Sequence, residues 1–150
     1  MSAAKLAVDS IRDFNRFYTK VIGLLDRHFL ASPYSLTEAR VIYELGQRGA
    51  STATAIRSET GLDAGYLSRI LDSFAEAKLI ERTRSPDDGR ARVLSLTRTG
   101  RAAFAALDEA QNRAVEAQLA RLDARQREEL VHHMQRIKEL LRDSAEDRGG

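Results

Sequence analysis

From Leu6 to Leu30 the apolar positions Ile11, Phe14, Tyr18, Val21, Leu25 and Phe29 recur three or four residues apart, the spacing of a stripe along one long helix. Phe17, Ile22 and Leu24 widen that stripe. A helix apolar over so much of its girth needs cover on more than one side, which points to a second subunit. Pro33 restricts the residue before it, so the helix is expected to end near there, and residues 5–31 are assigned to it.

The second helix is expected to start at an N-cap Thr37, with Leu36 and Val41 placed to staple its entry turn, and to run to about Gln47 before Gly49. Thr52 opens a short third helix through Ala55, Ile56 and Glu59, which Gly61 ends by permitting left-handed backbone. Asp63 caps a fourth helix with Leu67, Ile70, Leu71 and Phe74 on one face. Leu79–Arg84 and Arg92–Leu96 read as two short strands around a Pro and Asp-Gly turn, a small hairpin. Thr97 caps a fifth helix through Leu107, Val115 and Leu119. Asp123 with Gln126 forms a capping-box signature for a sixth, carrying Leu130, Met134, Ile137 and Leu141.

This order predicts a mainly α domain with a small β-hairpin wing: a winged helix-turn-helix over residues 36–97, flanked by dimerisation helices at 5–31 and 98–145 within one domain of 150 residues. If the fourth helix buries Leu67, Ile70, Leu71 and Phe74, then Ala64, Gly65, Tyr66, Ser68, Arg69 and Ser73 face outward. Small residues at a helix start allow close approach to base edges. Hydroxyl and guanidinium groups supply the donors that a major groove reads, with Arg69 the expected guanine or phosphate contact. Arg90 at the hairpin tip is placed to reach an adjacent minor groove.

Charge sharpens this reading. The net charge is only +2, but Arg82, Arg84, Arg90, Arg92, Arg98 and Arg101 fall within a stretch whose acids are Asp87 and Asp88. Arg84 and Arg92 join the expected DNA-binding set from that stretch. The 43% hydrophobic and 31% charged content is that of a soluble globular chain, and the absence of cysteine removes disulfides and thiolate metal sites. With no apolar run long enough for a bilayer and no signal-peptide core, the expectation is a cytoplasmic protein.

Ser35-Leu-Thr-Glu-Ala-Arg40, Leu62-Asp-Ala-Gly-Tyr-Leu-Ser-Arg-Ile-Leu71, Asp88-Gly-Arg90 and Leu96-Thr97 resemble the MarR family of transcription regulators. The resemblance implies a triangular homodimer in which the first, fifth and sixth helices interlock. It also implies that the fourth helix is the recognition helix and that Asp88 orients Arg90 at the wing tip. Many members carry an acid where Ser85 stands and a second arginine where Gly89 stands, so this wing tip is less charged than usual. Phe14-Asn-Arg-Phe-Tyr18 and Ser32–Arg40 look like the subgroup often fused to an acetyltransferase, although no acetyl-coenzyme A loop is recognisable in the chain.

The expected partners are double-stranded DNA, a second copy of the chain through Leu6, Ile11, Phe14, Leu130, Met134, Ile137 and Leu141, and a small aromatic or phenolic effector. The resemblance implies an effector crevice, for which Tyr18, His28, Tyr34, Arg40 and Tyr43 are the candidates; the alternative is that Tyr18 and Tyr43 are ordinary core. No cofactor or metal is expected, since the neighbours His132 and His133 point about 100° apart on a helix, unlike an i, i+4 pair. No catalytic set is recognisable, so the chain is not expected to be an enzyme. The competing readings are a winged-helix protein-interaction module and the regulatory part of an acetyltransferase system.

Overall fold

The computed structural model of the chain describes residues 2–23, 28–85, 87, 89 and 92–146. The elements in order are α1 (Ala3–Ile22), a one-turn 3-10 segment (Phe29–Ala31), α2 (Leu36–Arg48), β1 (Ala50–Ser51), α3 (Ala53–Thr60), α4 (Ala64–Glu76), β2 (Ile80–Arg84), β3 (Arg92–Leu96), α5 (Arg98–Leu119) and α6 (Ala124–Glu146). They form two compact units, residues 1–110 and 111–150, with α5 passing from one into the other.

The first helix is shorter than its apolar stripe suggested. It does not run from 5 to 31 but ends at Gly23, whose left-handed backbone (φ 70°) lets its N–H bond back to the carbonyls of Lys20 and Thr19. A glycine at this position is the common helix stop, and it outweighs a stripe that continues beyond it. Leu24 and Leu25 lie outside the described residues, and Phe29 belongs to the 3-10 turn. None of the α1 residues is buried.

The start of α2 also differs from expectation. Ser35, not Thr37, is its N-cap: the Ser35 hydroxyl accepts from Glu38 N at 3.1 Å, and Glu38 Oε1 accepts from Ser35 N at 3.0 Å. Only Ser35 has a glutamate three residues on, so only Ser35 can satisfy two orphan backbone N–H groups reciprocally. The remaining caps are as the sequence predicts, with Thr52 on α3, Asp63 on α4, Thr97 accepting from Gly100 N, and Asp123 and Gln126 closing a capping box on α6.

The core of the first unit is a winged lobe. Ala39, Val41, Ile42 and Leu45 from α2, Ile56 from α3 and Leu67, Ile70, Leu71 and Phe74 from α4 pack with Leu79, Ile80, Leu94, Leu96 and Leu107. The three strands form an antiparallel sheet in the order β1-β3-β2. β1, too short for any periodicity to announce it, pairs Ala50 with Ser95 and Ser51 with Leu94. Glu44 is 7% exposed within this lobe, and its carboxylate is satisfied by Arg40 at 3.0 Å and Arg48 at 3.6 Å. Arg48 reaches on to Glu59 at 2.8 Å, which ties α2 to α3.

The turn out of α4 is locked from two sides. Leu79 N bonds to Phe74 O and Lys78 N to Ala75 O, a Schellman arrangement that places Lys78 in left-handed backbone at φ 60° without a glycine. Thr97 holds that turn, its N–H donating to Leu79 O at 2.9 Å and its hydroxyl lying 2.7 Å from Lys78 O. Gly100 sits against the Leu79 carbonyl so closely that a Cβ would collide with backbone.

In the second unit, Arg127 Nε donates to Leu119 O at 2.9 Å across the turn between α5 and α6. Leu130, Met134, Ile137 and Leu141 on α6 are exposed, as are Leu6, Ile11 and Phe14 on α1 in the first unit. No helix among the described residues is long and apolar enough to cross a membrane.

Two glycines test the packing. Gly100→Ala meets an immovable carbonyl and is expected to lower stability in urea unfolding by about 2–3 kcal/mol, the upper part of the overpacking range. Gly46→Ala drives a Cβ into the half-buried Phe104 ring, which packs on Tyr43, and is expected to lower stability as well.

Candidate nucleic-acid interface

Two helices and a tight turn set up one outward face. Gly61 ends α3 in left-handed backbone (φ 71°), and Arg57 Nε donates to Leu62 O across the turn at 3.4 Å. Asp63 then caps α4 by accepting from Tyr66 N at 3.1 Å. With Leu67, Ile70, Leu71 and Phe74 facing the core, the helical period leaves Ala64, Gly65, Tyr66, Ser68, Arg69 and Ser73 exposed together. All six are where the sequence reading put them.

Arg69 is held rather than free to sweep solvent. Its guanidinium carbon lies 5.9 Å from the centre of the Tyr66 ring, one turn earlier, at the outer limit of a cation–π contact. Gly65 leaves room in the same place, since an added Cβ would lie 3.3 Å from Asp63 Oδ2 and 3.8 Å from an Arg69 nitrogen. The start of α4 therefore presents small residues, a ring and a fork of donors.

The hairpin contributes a second group of cations. β2 and β3 pair Ile80 with Leu96, Arg82 with Leu94 and Arg84 with Arg92. Alternation puts all six on one face of the hairpin, apolar at the base and cationic outward. Arg84 and Arg92 are exposed and directly opposed, a like-charge pairing that costs stability until an anion comes between them. Asp88 and Arg90, the expected wing-tip pair, lie outside the described residues.

Between α3, α4 and the sheet lies an open cavity of about 500 Å³, lined among others by Thr54, Arg57, Ser68, Asp72, Arg82 and Arg92. The sequence reading had not placed Arg57 or Asp72 in the site, and it counted Arg82 only as one of a run of arginines. The signal for Arg82 was its two-residue spacing from Arg84, opposite Leu94; nothing in the linear pattern marks Arg57 or Asp72.

The five effector candidates do not line this cavity. Tyr18 is half-buried and stacks on Phe14 with ring centres 5.5 Å apart. His28 is exposed, and Arg40 is engaged with Glu44. Tyr34 packs edge-on against Phe74 at 6.2 Å, and Tyr43 leans on Phe104 at the same distance. Among the described residues no three His, Cys, Asp or Glu side chains gather as a metal site.

Residues 32–91 match the sequence profile of the MarR family, which spans the helix-turn-helix and most of the hairpin. The match covers the winged lobe and less than half of the chain. Solved structures extend the likeness over most of the chain. A cysteine-to-serine variant of MarR from E. coli, complexed with operator DNA, is 18% identical and has a TM-score of 0.73, covering 91% of this chain and 99% of its own. FabT from Streptococcus pneumoniae in complex with DNA is 20% identical with a TM-score of 0.71, covering 95% and 99%. BpsR from Bordetella bronchiseptica, whose DNA binding is regulated by 6-hydroxynicotinic acid, is 17% identical with a TM-score of 0.70, covering 87% and 98%. At these identities the likeness is one of fold. None of the curated proteins matches the chain in sequence.

The cap of α4 is open to test. Asp63→Ala removes the acceptor for Tyr66 N and is expected to cost about 1 kcal/mol in urea unfolding, with Asp63→Asn close to wild type.

Proposed function

We propose that the chain is a homodimeric transcription regulator of the MarR type that binds double-stranded DNA and catalyses no reaction. The observation that carries this is the outer face of α4, where Ala64, Gly65, Tyr66, Ser68, Arg69 and Ser73 stand exposed beside the opposed arginines of the hairpin. A major groove admits a helix of this kind, and its base edges take hydrogen bonds from Arg, Ser and Tyr side chains. Arg69 is assigned to a guanine or a phosphate. Arg84 and Arg92 are assigned to the backbone, and Asp88 with Arg90 to the wing tip.

The solved complexes of E. coli MarR with operator DNA and of S. pneumoniae FabT with DNA support this reading at the level of fold. The second copy is called for by apolar surface: α1 buries none of its residues, and Leu130, Met134 and Ile137 are exposed on α6. Two-fold symmetry brings two recognition helices to one face at a spacing of roughly 34–36 Å and demands a pseudo-palindromic operator. The finer reading is a repressor released by a small aromatic or phenolic ligand held near Tyr18, His28, Tyr34, Arg40 and Tyr43. Regulation of BpsR by 6-hydroxynicotinic acid supports that chemistry.

The test is fluorescence anisotropy on a duplex from upstream of the chain's own gene and on an unrelated duplex at two salt concentrations. Preferential binding to the upstream duplex is expected, with log affinity falling by about 0.9 per neutralised phosphate for each unit of log salt. Arg69→Ala is expected to weaken that binding by about 1–3 kcal/mol. Equal, weak, salt-insensitive binding to both duplexes overturns the assignment. Sedimentation should give a dimer at micromolar concentration, and Ile137→Asp should shift it toward monomer.

A further inference from the structure

Asp72 is a carboxylate on the helix assigned to the groove, one turn beyond Ser68 and lining the same cavity. A negative charge there opposes the phosphate backbone, so its presence calls for a physical reason. Its partner supplies one. Arg82 NH2 lies 2.7 Å from Asp72 Oδ1, and the two side chains differ in exposure: the carboxylate is 64% exposed and the arginine 26%. The carboxylate is thus the more exposed side chain of the pair. A phosphate approaching Arg82 meets a guanidinium already engaged by a carboxylate.

The cavity's other cations, Arg57 and Arg92, and Arg84 further out on the hairpin are not covered in this way. Among the described residues no acidic side chain pairs with Arg57, which donates to a backbone carbonyl, and none pairs with Arg84 or Arg92. Among the described residues Arg82 alone of these four arginines pairs with an acid, although β2 places it between Ile80 and Arg84 on the same face of the hairpin.

We propose that Asp72 is a specificity-determining residue that masks Arg82 from phosphate and so restrains binding to DNA of arbitrary sequence. This rests on the DNA-binding reading of the same face. Every phosphate neutralised adds affinity for any duplex, because phosphate contacts carry no sequence information. A freed Arg82 adds most in loosely docked complexes, where whichever cation is available finds a phosphate. In the register-fixed complex its position is set by the strand. An exposed ion pair of this kind contributes little to folding, so removing one partner leaves the lobe intact.

The experiment measures affinity against salt for wild type, Asp72→Asn, Arg82→Gln and the double variant, on the upstream and the unrelated duplex, with thermal midpoints recorded alongside. Asp72→Asn is expected to bind the unrelated duplex about 3- to 10-fold more tightly, to gain less on the upstream duplex, and to steepen the salt slope by about 0.9 per lobe. The double variant is expected to return to the wild-type slope. A slope for Asp72→Asn that is unchanged or shallower overturns the proposal, because Asp72 then either orients Arg82 onto DNA or does nothing. A double variant that keeps the gain overturns it too, by assigning the effect to the carboxylate alone. Steep salt-dependent binding by wild type with either of those results leaves the DNA-binding reading standing. Wild type that binds neither duplex removes both.

Discussion

The seating of α4 in the core of the winged lobe is the constraint on which the rest of the interface depends. Leu67, Ile70, Leu71 and Phe74 are buried against α2, α3 and the sheet, and a rigid helical period then dictates what faces outward. The helix has no freedom to roll, because rotation would lift Phe74 from the core and drive Ser68 or Arg69 into it. Each burial is worth on the order of 1.5–3 kcal/mol, more than any single contact on the outer face. The outward-facing residues of α4 are therefore presented by apolar packing.

The two ends of α4 are secured by different means. At its start, Asp63 and the Gly61 turn set the entry angle with a side-chain cap and a left-handed residue. At its finish, the Schellman turn at Lys78 is clamped by Thr97 and by the close approach of Gly100 to Leu79. The clamp comes from the first turn of α5, whose far half lies in the other compact unit. The end of α4 and the start of α5 thus meet at one piece of backbone.

Much of this was readable in the residues themselves. The four buried positions of α4, the caps at Thr52, Asp63, Thr97 and Asp123, and the stop at Gly61 are local signals, in which the interacting groups lie within four residues of one another. Local chemistry also decided the two points where the reading and the structure part. The long stripe from Leu6 to Leu30 continues past Gly23, but a glycine that takes left-handed backbone ends a helix whatever the stripe does. Ser35 displaced Thr37 as a cap because a glutamate stands three residues after it.

What the linear pattern did not carry was charge arrangement across elements. Arg57, Asp72, Arg82 and Arg92 lie on four different elements and meet around one cavity only because α3, α4, β2 and β3 close on each other. The pairing of Asp72 with Arg82, and the opposition of Arg84 to Arg92, follow from strand register and helix placement. The sequence by itself determined the helices, the hairpin and the outward face of α4, because periodicity and capping act over a single turn. Tertiary structure alone decided that Arg82 is paired with Asp72 while Arg84 and Arg92 oppose each other, because Coulomb interactions depend on distance in space and not on separation along the chain.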